Sequence, residues 1–194
     1  MLGTVFVLAG FWLQNFGFDI IRDMRQMERV PQVSVHHVIP GEVSMQGVAA
    51  KGKETLFSRY SNTPCLYHRY LKQREEKDSD GDSRWVTVEE GSESTDFFLV
   101  ENTGKILVEL NRGGVSPDLE TDHRSEKGNY RYTEWRIEEG EEVFAFAMAV
   151  KKEEGFSLRF DNSGSYSPVL SNADALENRS GLGTNGVRAS RARV

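Results

Sequence analysis

FFLVENTGKILVEL, residues Phe97 to Leu110, decides the fold. Two short apolar runs flank Asn102-Thr103-Gly104-Lys105, and Asn and Gly accept positive φ at little cost, so the stretch predicts a β-hairpin. Working outward, the same pattern recurs. Val33 to Ile39, Gly41 to Ala50, Cys65 to Gln73, Arg84 to Glu89, Tyr130 to Ile137, Val143 to Val150 and Phe156 to Phe160 are short and rich in Val, Phe, Tyr and Trp. Glu138-Glu139-Gly140-Glu141 supplies a second explicit turn. Strands in such close succession, with no amphipathic helix between them, predict a mainly β domain over 33–160: a small antiparallel barrel or sandwich, with an OB-like barrel among the options. Trp85, Phe97, Phe98, Tyr132, Trp135, Phe144, Phe146, Phe156 and Phe160 fall on these strands and are expected to supply the core, each contributing on the order of 2 kcal/mol when buried. Phe97 and Phe98 are adjacent and must divide between the two faces. The outward one becomes a contact for lipid or a partner.

Upstream, Met1 to Ile21 is apolar except for Thr4, Gln14, Asn15 and Asp19. About 20 such residues cross a hydrocarbon core of about 30 Å as a helix, so residues 1–21 predict one transmembrane helix. A cleaved signal peptide needs a basic start and a small-residue cleavage site, and the run shows neither. A buried core helix is the other alternative, because Gly3, Gly10 and Gly17 dilute the stretch. Gln14 and Asn15 are candidates for contact with a neighbouring helix. Arg22, Arg25 and Arg29 follow the run and nothing basic precedes it, which places the soluble part on the cytoplasmic side of a single-pass membrane protein. Residues 22–32 read as a juxtamembrane stalk ended by Pro31. Gln73 to Ser83 and Asn111 to Asn129 read as exposed loops, and 161–194 as a polar, disordered tail.

The formal charge of −6 disfavours nucleic acid as a partner, because phosphate contacts require clustered Lys and Arg. A single cysteine, Cys65, excludes an internal disulfide and a thiolate zinc site within one chain. Asp78, Asp80, Asp82 and Glu89 occupy the first, third, fifth and twelfth places of a calcium loop and are the candidate metal ligands. The sixth place is Ser83 where the sharp turn needs Gly, and the flanks look like strands, so a charged hairpin is the default. The glycines at 181, 183 and 186 lack the strand and helix that a dinucleotide site requires. Cys65 and His68 fall on opposite faces of a strand, and no catalytic constellation or cofactor site is expected.

GEVSMQGVAAKG (Gly41 to Gly52), LFSRYSNTPCLYHRY (Leu56 to Tyr70), the hairpin above and YTEWRIEEGEEVFAF (Tyr132 to Phe146), in that order, resemble the GIDE domain. That domain is found in mitochondrial membrane-anchored RING ubiquitin ligases and in many short prokaryotic membrane proteins. The resemblance implies a membrane-tethered β domain. It does not carry over ligase chemistry, since one cysteine cannot supply the zinc ligands of a RING. The reading that follows is a non-catalytic domain binding or scaffolding another membrane or envelope protein, or a ligand. The alternatives are a homo-oligomer assembled through the transmembrane helix, and a ligase-type protein by family label.

Overall fold

The computed structural model describes residues 32–77, 80–110, 116–160 and 168–172. The expectations for the membrane helix, Gln14 and Asn15, the stalk before Gln32 and most of the tail lie outside the described residues. Among the described residues no helix is long and apolar enough to cross a membrane.

The described strands are β1 (Gly41–Lys51), β2 (Leu56–Phe57), β3 (Pro64–Cys65), β4 (Tyr67–Lys77), β5 (Ser83–Ser94), β6 (Phe97–Glu101), β7 (Gly104–Glu109), β8 (His123–Lys127), β9 (Tyr130–Ile137), β10 (Glu142–Lys151), β11 (Phe156–Arg159) and β12 (Val169–Asn172). Five of them close a barrel in the order β1-β6-β7-β11-β10 and back to β1. Every pairing in it is antiparallel except β7 with β11. Closure leaves no open sheet edge around the ring. Its interior is filled from alternate positions: Val43, Met45 and Ala49 on β1, Phe97 and Leu99 on β6, Ile106 and Val108 on β7, Val143, Ala145, Ala147 and Ala149 on β10, and Leu158 on β11. The alanines of β10 make room for Met45, Phe97 and Phe160, as a narrow barrel requires. Gly47 serves the same closeness on β1. A Cβ there would meet the Val100 carbonyl oxygen at 2.6 Å, so only glycine lets β6 lie so near.

Two long excursions leave the barrel, one between β1 and β6 and one between β7 and β10. In this strand order both depart from the same end, so they can pair. They form a second antiparallel sheet, β5-β4-β9-β8, with β4 against β9 from Tyr67↔Ile137 to Arg74↔Tyr130. Its edge strand β5 carries a bulge at Val88 and the charges Arg84, Glu89, Glu90 and Glu93, which oppose pairing with another chain.

Several expectations are corrected. Val33 to Ile39 is not a strand but holds a 3-10 turn, Val35–His37, because side chains satisfy its donors. Val35 N–H donates to the Glu101 carboxylate at 2.8 Å and His36 N–H to the Thr103 hydroxyl at 3.3 Å. The loop expected from Asn111 to Asn129 contains β8, whose charged sequence HRSEK has no apolar alternation. The tail expected from residue 161 contains β12, which pairs with β10 from Val143↔Asn172 to Phe146↔Val169. The loop expected from Gln73 to Ser83 is shorter, since β4 runs on to Lys77. Among the aromatics, Phe97, Phe146 and Phe160 are fully buried, whereas Trp85 lies on the second sheet under Arg131, 3.9 Å from its ring.

Candidate functional site

Two motifs far apart in sequence meet where the second sheet joins the barrel. Ser58 to Thr63 forms a tight turn. Ser58 N–H donates to the Thr63 carbonyl at 3.0 Å, Asn62 N–H to the Ser58 carbonyl at 3.1 Å, and Asn62 takes φ +53°, a conformation asparagine tolerates. The turn is clasped by β9. The Glu134 carboxylate is fully buried and accepts from the backbone N–H groups of Tyr60 and Ser61. Arg136 lies 3.6 Å from Glu134 and donates to the Ser61 hydroxyl at 3.1 Å and to Glu138 at 3.0 Å. Tyr60 then packs edge-on against Tyr70 and Tyr132. Burial alone would raise the Glu134 carboxyl, but the hydrogen bonds from Ser61 and Tyr60 and the nearby Arg136 outweigh it and hold the group below its ordinary value. This cluster is a structural clasp.

The clasp has a pH signature. A carboxyl held low in the folded state adds stability above its unfolded pKa, and that stability is lost as pH falls through the folded value. Glu141 has the opposite sign: burial raises it, against hydrogen bonds from Glu138 N–H and Asn172, so protonation stabilises the fold. In urea unfolding followed from pH 7 to pH 2.5, Glu134→Gln is expected to flatten the acid loss of stability and Glu141→Gln to steepen it.

The concave feature lies on the barrel. A cleft of about 800 Å³ runs between the outer face of β6 and β7 and the turn Lys152–Gly155 joining β10 to β11. Phe98 and Leu107, cross-strand partners, form its floor, and Val35 and Phe156 its walls. Gly155 at φ +90° lets the turn close, with Lys152 N–H donating to the Gly155 carbonyl at 2.9 Å. Lys105 reaches over the Phe98 ring at 4.5 Å. Glu109, 5% exposed, accepts from Lys152 at 2.7 Å and Arg159 at 2.9 Å. Burial would raise its carboxyl, and these two cations outweigh that and hold it low. Val48 and Val100, cross-strand partners 43% and 36% exposed, continue the apolar surface beside Phe98.

The sequence-level candidates separate accordingly. Phe97 is inside the barrel, so it cannot be a contact for lipid or a partner; Phe98 is the outward member. Asp78 lies outside the described residues, Asp80 and Asp82 sit at the β4–β5 turn, and Glu89 is on β5, 3.1 Å from Arg59. Glu89 stands seven positions on from Asp82 along β5, about 23 Å at strand rise, so the calcium-loop order does not converge. Among the described residues no group of three or more His, Cys, Asp or Glu could hold a metal ion. Cys65 is buried, and burial pushes its thiol up to about 12, which keeps it protonated. Sequence reasoning did not find Lys105, Glu109, Lys152 and Arg159. Glu109 and Arg159 are 50 residues apart, and only the parallel β7–β11 pairing joins them. No family model, curated protein or solved structure matches this chain.

Proposed function

We propose that the chain is a membrane-tethered, non-catalytic β domain that binds another membrane or envelope protein through the outer face of its barrel. The observation that carries the reading is the outward strip of exposed Val48 and Val100 with half-buried Phe98 beside the cleft. A barrel that already closes its own core gains nothing by exposing contiguous branched and aromatic side chains unless another surface covers them. The strand order supports the location. Numbered within the barrel it reads one-two-three-five-four, with the third and fifth strands parallel, which is an OB-type order, and OB barrels bind on the face of strands two and three beside the four-five turn. The cleft occupies that place. Kinship with GIDE domains is part of the proposal, supported by the way two of the resembling motifs, SNTPC and EWRIEEGE, interlock in the clasp. The tether rests on the apolar run Met1 to Ile21.

The test uses the full chain in its own membranes, with a photo-crosslinking amino acid in place of Val48. The expected result is retention in carbonate-washed membranes and one stoichiometric adduct, lost in Phe98→Glu. Recovery in the supernatant after ultracentrifugation of unextracted cells overturns the tether, and an unaltered adduct in Phe98→Glu overturns the face.

A further inference from the structure

We infer that the rim of the barrel around Ile39 is the end that meets the bilayer, with Ile39 and Pro40 seated among the lipid headgroups. This deepens the reading above and rests on its tether. Strand direction identifies the rim. β1 starts there at Gly41, β10 arrives there because Gly41 pairs with Ala149, and β6 runs there because Val48 pairs with Val100. The β6–β7 and β10–β11 turns share this rim with the 3-10 turn, whose Val35 and His36 N–H groups bind Glu101 and Thr103. The second sheet leaves from the opposite end, after Lys51 and Glu109. The chain also enters at the rim. Gln32 bridges Ser44 in parallel, Val33 N–H donates to the Ser44 carbonyl at 2.8 Å, and the Gln32 side chain donates to Gln46 at 3.1 Å. A parallel neighbour reaches Ser44 from the Gly41 side.

Residues 22–31 link the apolar run to Gln32, a reach of about 15 Å if helical and at most about 35 Å if extended. The Gly41 rim lies about 10 Å back along β1 toward that approach. The tether thus holds this rim, and not the second sheet, beside the bilayer. Ile39 is the most exposed large apolar side chain among the described residues, at 70%, and exposed Pro40 follows it with no N–H to leave unpaired. Val38, buried next to it, anchors the segment. One exposed isoleucine is ordinary on a protein surface. Here it stands where the tether presents lipid at high effective concentration, so a weak contact suffices. Charge does not draw the rim to an anionic surface, since Lys105, Lys151 and Lys152 are set against Glu42, Glu101, Glu153 and Glu154. The contact is apolar, and zwitterionic lipid supports it. The cleft beside Phe98 opens at this same rim, which places a partner's bound segment close to the membrane.

The test uses the full chain reconstituted in phosphatidylcholine vesicles and labelled with an environment-sensitive dye at Ile39→Cys or, in a second variant, at Ser83→Cys, at the far end of the second sheet. Cys65 is buried and stays unlabelled. Quenching by a lipid carrying a nitroxide headgroup is expected to be at least threefold stronger at position 39 than at position 83. With the dye moved to Lys151→Cys on the rim, adding Ile39→Asp should cut the quenching by at least half. Flotation of the vesicles reads the tether separately. A chain that floats with equal quenching at positions 39 and 83, or with stronger quenching at 83, overturns the inference and leaves the tether standing. Unchanged quenching at position 151 in Ile39→Asp overturns the role given to Ile39. A chain that does not float overturns both readings.

Discussion

Replacing Arg136 by methionine is expected to lower the stability of the domain by about 3–5 kcal/mol, the cost typical of stripping one partner from a buried ion pair. Glu134 would remain in the interior with two backbone donors and no cation. Arg136→Lys should recover only part of the loss, because an ammonium cannot serve Ser61, Glu134 and Glu138 with the geometry of a guanidinium fork. Adding Glu134→Gln to Arg136→Met should restore much of the stability, since the uncompensated charge is then gone. Chemical denaturation of the three variants reads these differences directly. If the single and double variants prove equally unstable, the loss comes from packing and the electrostatic account of the clasp is wrong.

Phe97→Ala and Phe98→Ala should differ sharply although the residues are neighbours. Phe97 is fully buried in the barrel, and truncating it removes transfer energy and leaves a cavity, for about 3–5 kcal/mol. Phe98 faces outward under Lys105, and its truncation should cost about 1 kcal/mol or less, from a partly exposed contact and one cation–π interaction. A thermal or urea unfolding comparison suffices. Comparable losses from both variants would mean that the strand register assigned to β6 is off by one residue.

The barrel was legible because its strands alternate. FFLVE and GKILVE place inward and outward residues unambiguously, and their Asn-Thr-Gly turn fixes the hairpin. Tyr130 to Ile137 was equally readable, matching β9 end to end. What escaped had no local signal. β8 is charged, and it exists because β9 offers a free edge; β12 is four residues whose pairing partner lies on β10. The 3-10 turn defeated a Val-rich pattern because Glu101 and Thr103, distant in sequence, capture its N–H groups. The cleft was half visible. The two-residue period announces that one of Phe97 and Phe98 faces outward but not which, whereas Glu109 with Lys152 and Arg159 needed a tertiary pairing that no spacing announces.

The ring closes only once a strand made long after β1 is available. Gln46 on β1 and Glu142 at the start of β10 are hydrogen-bonded neighbours separated by 96 residues, so β1 leaves the ribosome well before the strand that closes the ring against it. At a typical elongation speed that delay is about 5–20 s. Throughout it, the growing polypeptide carries the bare rim of β1, with Val43, Met45 and Val48 open to wrong associations. A nascent-chain stall before residue 142 should therefore yield a species that chaperones hold, and one after β12 a species that resists protease.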